Sequence, residues 1–193
     1  MTTVSTYLSP AKINLFLHIT SKRADGYHNL QTIFQLLDFC DVIKFSVRQD
    51  GQINRVSGNE DVAVEDDLLL KSARAIKNHS GSSLGVDISI DKKIPIGGGL
   101  GGGSSNAATV LLALNELWRL NLDERTLLEI GQTLGADVPV FISGKSSWAQ
   151  GIGEILEPMD LPPYYYLVVC IDEHICTAEI FSHKALTMTP VQR

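Results

Sequence analysis

Between Pro95 and Asn106 the chain reads Pro-Ile-Gly-Gly-Gly-Leu-Gly-Gly-Gly-Ser-Ser-Asn, with six glycines in the seven positions 97–103. Ordering a glycine costs roughly 0.5–1 kcal/mol relative to alanine, so a plain connector has no reason to keep so many. What they permit is close approach of backbone to a ligand. An alanine-rich segment follows at once, with Ala107, Val110, Leu111, Leu114 and Leu117 at helical spacing. A loop that opens onto a helix N-terminus points its amides and the helix dipole at one anion-sized space, so the expectation is a polyphosphate site. A flexible linker is the bland alternative, but linkers seldom sit between an amphipathic strand and such a helix. No lysine occurs from Gly97 through Asn106, which excludes the G-x-x-x-x-G-K-[ST] Walker A loop. Gly97, Gly99 and Gly102 satisfy G-x-G-x-x-G, a nearly automatic match in this tract. The strand before the loop alternates with charges, whereas a dinucleotide-binding fold needs one buried on both faces.

Other side chains could also do chemistry. From Lys12 to Thr20, Ile13, Leu15, Leu17 and Ile19 alternate with Lys12, Asn14, Phe16 and His18. That is the period of a half-buried strand, and it puts Lys12 and Asn14 on one face. Alone, such a lysine reads as a solvated charge. Asp137, just after Gly135, can accept a proton or simply cap a turn. Tyr27 and His28 follow the turn residues Asp25-Gly26 and offer an aromatic face beside an imidazole, suited to a planar ring or to surface decoration. Lys92-Lys93 precede the loop and can border a phosphate or a base, or stand as a surface pair. His18, His79, His174 and His183 lack ligand spacing and read as structural or exposed residues. Cys40, Cys170 and Cys176 form no C-x-x-C and are expected to be reduced core residues.

Elements must position these groups. Ile43, Phe45 and Val47 predict a second strand, and Val86, Ile88 and Ile90 a third. Asp66 or Asp67 can cap a helix running to about Asn78 with Gly81 beyond, and Ser104 or Ser105 can cap the helix after the glycines. Another helix is expected from near Asp123 to near Gly135, and a hairpin from Trp148 to Leu156 through Gly151-Ile152-Gly153. Tyr164 to Ile171 reads as a buried strand, and Thr177 as the cap of a last helix containing Phe181. The order points to an α+β chain. Its 193 residues are 44% hydrophobic and 20% charged, which excludes a disordered chain, and no apolar run approaches the ~18 residues of a membrane span. A net charge of −6 argues against a phosphate-tracking nucleic-acid binder. The first residues show no secretory signal, so the expected location is cytoplasmic.

Pro95 to Ala108 resembles the ATP loop of the galactokinase, homoserine kinase, mevalonate kinase and phosphomevalonate kinase superfamily. Pro10-Ala11-Lys12-Ile13-Asn14-Leu15, Arg23-Ala24-Asp25-Gly26-Tyr27-His28 and Gly135-Ala136-Asp137-Val138-Pro139-Val140-Phe141 narrow the resemblance to members acting on a cytidine-diphosphate-linked methylerythritol in the non-mevalonate isoprenoid route. The resemblance implies transfer of the γ-phosphoryl group of ATP, with Mg2+ carried on the nucleotide, to a tertiary hydroxyl. Asp137 is then the proton acceptor and Lys12 its catalytic neighbour. Pro95, Gly97, Gly98, Gly99, Leu100, Gly101, Gly102, Gly103, Ser104 and Ser105, with Asp67 and Lys92, border the nucleotide. Asn14 binds a phosphate or orients the base, Tyr27 stacks on cytosine, and His28 bonds its edge. Phe181 covers the other face of the ring, and Thr177 borders the substrate. The fold implied is α+β, a two-layer kinase domain of the ribosomal-protein-S5-domain-2-like type over residues 1–158. Residues 159–193 are then the first strand and helix of a truncated C-terminal α/β domain.

One departure is Asp66-Asp67-Leu68, where the family usually has Asp-Asn-Leu, so that an amide contact to the nucleoside gives way to a charge. The partners implied are small molecules, with no nucleic acid and no membrane, for a monomer or weak dimer. A non-catalytic module that holds ATP or the cytidine ligand without turnover is the competing reading.

Overall fold

The computed structural model describes residues 3–169, 180, 183 and 186–189. Strands β1 (Val4–Lys22) and β2 (His28–Arg48) form one long antiparallel hairpin. Its turn closes with Arg23 C=O and N–H both engaged, the N–H donating to Tyr27 O at 2.8 Å, and with Gly26 at φ +90°. The second half of β2 pairs antiparallel with β4 (Gly85–Asp91), and its first half with β5 (Ser147–Gln150), which forms a hairpin with β6 (Ile155–Pro158). A short β3 (Ile53–Ser57) runs parallel to β4, giving a six-stranded sheet in the order β3-β4-β2-β5-β6 with β1 on β2.

Among the described residues four helices pack together with the sheet: α1 (Leu68–Ser80), α2 (Gly102–Leu117), α3 (Glu124–Leu134) and α4 (Val138–Ser143). Helix α2 is central, touching the other three as well as β1 and β2. Small residues make that possible, since Ala107, Ala108 and Ala113 are buried beside Val110, Leu111 and Leu114. The main core joins these to Phe34, Ile43, Phe45, Val86, Ile88 and Ile90 of the sheet and Leu69, Ala73 and Ile76 of α1. The α+β expectation and the single mixed sheet agree.

The expected boundaries of α1 and α3 are met. Asp67 accepts from Leu69 N–H and Gly81 closes α1 at φ +68°, while Asp123 accepts from Thr126 N–H. Other expectations need correction. Neither Ser104 nor Ser105 caps α2: the N-cap is Gly101 at φ +71°, with no side-chain cap, and both serines lie inside the first turns. In β1, Leu15 and Leu17 are exposed while Lys12 is buried, the reverse of the simple alternation. The register is irregular on both sides: β2 advances four residues against two between Pro10 and Lys12, and three steps on β1 face two on β2 between Asn14 and Leu17, so one alternation does not run through the strand. Tyr164–Val169 carry no strand assignment, and Tyr164, Tyr165 and Leu167 are exposed, because no described strand pairs with them. Cys170, His174, Cys176, Thr177 and Phe181, with the helix expected around them, lie outside the described residues. Of the remaining sulfur and imidazole groups, Cys40 is half-buried and His79 is exposed, while His18 packs against Phe16 at 4.9 Å.

Asp67 is fully buried, and its second oxygen receives Arg55 Nη1 at 2.6 Å. Removing a buried partner strands a charge as well as a cap. Asp67→Ala is therefore expected to cost about 3 kcal/mol or more in urea unfolding, against about 1 kcal/mol for Asp123→Ala at an exposed cap.

Candidate active site

Lys12 sits where β1 breaks register. Pro10 faces Cys40 and Lys12 faces Leu36, so β2 advances four residues while β1 advances two. The slip frees Lys12 N–H from the β1–β2 ladder, and it donates to Leu100 O in the glycine loop at 2.9 Å. The side chain, 7% exposed, reaches over the Phe34 ring at 5.3 Å to its centroid. Its ammonium donates to Asn14 Oδ1 at 2.7 Å and lies 3.3 Å from Asp137 Oδ2. Asn14 Nδ2 in turn donates to the buried Thr32 Oγ1 at 2.8 Å, and Thr32 Oγ1 to Phe16 O at 2.5 Å. This chain of donors fixes the amide with its oxygen toward the ammonium.

Asp137 stands just before α4 but makes no side-chain cap. Its carboxylate is 33% exposed and faces Lys12 instead of the helix. The ammonium is covered and the carboxylate is the more open of the two. Helix α4 itself was not foreseen, because Pro139 reads as a breaker although at a first helical turn it costs nothing.

Across from this pair, Gly97, Gly99 and Gly101 have φ of +77°, +71° and +71°. Left-handed residues at alternate positions turn successive amides toward one concavity. Leu100 anchors the tract by its side chain, buried with Ala11 and Ile94. Gly101 tolerates no side chain: a Cβ there would lie 2.8 Å from Phe141 Cζ and 3.0 Å from Lys12 Cγ. With no side chain capping α2, its first amides remain available to an anion.

One cavity of about 1140 Å3 collects most of the residues singled out from sequence. Pro95, Gly97 to Gly103 and Ser104 form one wall, with Lys92 and Asp67 beside them. Lys12, Asn14 and Asp137 line it as well, as do Tyr27 and His28, the former 60% exposed and the latter 9%. Ser105 does not: it is fully buried, with its Oγ 2.8 Å from Ser9 Oγ. The Asp67 carboxylate is committed to Leu69 N–H and Arg55, leaving it an anchor of the cavity wall.

Sequence reasoning missed Asp41 and Arg55. Asp41 is fully buried and accepts from Lys93 N–H at 2.7 Å, Ile94 N–H at 2.8 Å, Asn106 Nδ2 at 2.9 Å and Lys92 Nζ at 2.5 Å. Burial alone would push its carboxyl up, yet Lys92, Asn106 and the two backbone amides hold it below the usual carboxylate range. The signal was present in the strand phase, since Asp41 shares its face with the core residues Ile43 and Phe45.

Residues 67–145 match the model of the GHMP kinases N terminal domain. The 4-diphosphocytidyl-2-C-methyl-D-erythritol kinase of Ruthia magnifica subsp. Calyptogena magnifica is 61% identical over 97% of this chain and 66% of its own length. That of Cupriavidus taiwanensis is 54% identical over 95% of this chain and 63% of its own length. The chain thus spans slightly less than two thirds of these curated relatives. A crystal structure of 4-(cytidine 5'-diphospho)-2C-methyl-D-erythritol kinase superposes with a TM-score of 0.70 at 39% identity, over 82% of this chain and 56% of that one. Lactococcus lactis galactokinase complexed with galactose shares the fold, with a TM-score of 0.55 at 18% identity over 82% of this chain and 48% of that one. The glycine loop, the lysine–aspartate pair and these likenesses agree on a GHMP kinase N-terminal domain within this chain.

Proposed function

We propose that the chain binds ATP on the glycine loop and transfers its γ-phosphoryl group to the tertiary C2 hydroxyl of 4-diphosphocytidyl-2-C-methyl-D-erythritol, in the non-mevalonate isoprenoid route. The observation that carries this reading is the 3.3 Å Lys12–Asp137 pair opening onto the same cavity as the glycine loop. At about 1140 Å3 that cavity exceeds the usual single-ligand pocket and has room for two substrates. The acceptor oxygen attacks the γ-phosphorus, the bridging P–O bond to the β-phosphate breaks, ADP departs, and the hydroxyl proton passes to the Asp137 carboxylate. The transition state is loose, so positioning and charge matter more than a strong base. Lys12 supplies the charge, and Asn14 holds its ammonium in place.

Tyr27 and His28 are proposed to take the cytosine, with Phe181 on its other face and Thr177 at the border by family resemblance. Mg2+ would enter on the nucleotide phosphates. Among the described residues the cavity is lined by the carboxylates of Asp66, Asp67 and Asp137; Asp67 is tied to Arg55, which leaves Asp66 and Asp137 able to touch such an ion, in keeping with how Mg2+ binds alongside phosphates. Residues 1–158 are proposed as the kinase domain, with the protein acting in the cytoplasm as a monomer or weak dimer. A calorimetric titration with ATP beside a phosphoryl-transfer assay on this 193-residue chain tests the reading, and binding without turnover would favour the non-catalytic module.

Against the unmodified chain, Asp137→Asn is expected to lower turnover roughly 10²- to 10⁴-fold with ATP affinity little changed; near-normal turnover would remove Asp137 from the mechanism. Gly101→Val should both destabilise the fold and abolish phosphoryl transfer, because it drives a side chain into Phe141 and Lys12, and a Tm scan with the same assay reads both effects. The uridine counterpart of the substrate should be used at roughly 10²-fold lower kcat/KM, since it exchanges donor and acceptor on the base edge. Equal use of the two in competition kinetics would overturn the assignment of Tyr27 and His28.

A further inference from the structure

We infer that Asp41 is a positioning residue for the nucleotide, acting through Lys92, an inference that rests on the ATP reading above. An isolated lysine at the mouth of a cavity is a flexible, solvated charge. Lys92 is held: its ammonium donates to Asp41 Oδ2 at 2.5 Å and to Asn106 Oδ1 at 3.2 Å. Asn106 is itself fixed by donating to Ser9 Oγ at 2.8 Å and to Asp41 Oδ2 at 2.9 Å. An ammonium has three N–H groups, so two are engaged and one remains for the cavity that Lys92 lines. The position is defined by Gly102, where a Cβ would fall 2.8 Å from Lys92 Nζ. The charge is therefore parked over the first residue of α2, where the loop's amides converge.

The other oxygen of Asp41 does separate work. Oδ1 accepts the backbone N–H groups of Lys93 and Ile94, at the entry to the glycine loop, while Oδ2 reaches Asn106 at its exit. One carboxylate thus clasps both ends of the loop, and tying the ends lowers the entropy lost when the loop closes on a ligand. The division between the two oxygens makes the role separable. An asparagine at position 41 can keep its oxygen on the two backbone amides while its amide nitrogen faces the Lys92 and Asn106 donors, so Asp41→Asn releases Lys92 and leaves the entry clasp in place.

Calorimetric titration of the 193-residue chain with ATP in magnesium buffer, and separately with the cytidine-linked substrate, decides the matter. Asp41→Asn is expected to weaken ATP roughly 10-fold or more, the scale of a lost charge-assisted bond, and the cytidine ligand by less than about 2-fold. In a Lys92→Met background the same substitution should change ATP affinity by less than about 2-fold, because the group it positions is gone. Equal weakening of both ligands, or effects of Asp41→Asn and Lys92→Met that simply add, would make Asp41 a structural residue and overturn the inference. Unchanged ATP affinity in Asp41→Asn would overturn it too. Absence of ATP binding in the unmodified chain would instead sink the nucleotide reading itself. Should Asp41→Asn not fold, Asn106→Ala removes the second support of Lys92 and must show the same selectivity for ATP and the same dependence on Lys92, or the inference fails.

Discussion

The hydrogen bond from Lys12 N–H to Leu100 O governs the geometry of everything around it. It ties the strand that carries the ammonium to the loop that carries the amides, two segments far apart in sequence. It exists because the ladder fails at this point: Pro10 has no N–H to donate, the register slips beyond it, and the Lys12 amide is free to turn outward. Leu100, the one side chain within the glycine tract, buries itself with Ala11 and Ile94 to hold the carbonyl in place. Ser9 and Ser105 make a second tie one turn further along α2. A loop so rich in glycine would not hold one shape without these ties.

Much of the site was legible in the sequence because it rests on local chemistry. The glycine tract declares close approach, and the shared phase of Lys12 and Asn14 survives because no bulge falls between them. The phase of Leu15 and Leu17 did not survive, since a bulge is set by how two strands meet and leaves no mark in one strand's alternation. The expected serine caps of α2 failed for a related reason: Ser105 is a good capping residue, but its hydroxyl found Ser9, 96 positions away in sequence. Propensity describes what a residue can do locally, and tertiary contact decides among the options. Tyr164–Val169 make the converse point: an apolar run becomes a strand only with a partner, and among the described residues no strand pairs with it.

Asp67 shows how a buried charge can be absorbed. Arg55 supplies the opposite charge from β3 while also donating to Val62 O at 3.0 Å. The cap of α1 is kept, and the cavity wall acquires an ion pair that was not evident from either residue alone.

That pairing recurs. Lys12 stands against Asp137, Lys92 against Asp41 and Arg55 against Asp67, so these cations of the cavity region arrive already neutralised. A polyanion at the loop and helix start therefore meets oriented peptide dipoles beside cations already held by carboxylates. Fixed dipoles release few counterions when a ligand docks, and buried pairs are little screened. Recognition built this way is short-ranged: it discriminates by shape at contact, does little to draw anions from a distance, and changes little as the ionic strength of the medium rises.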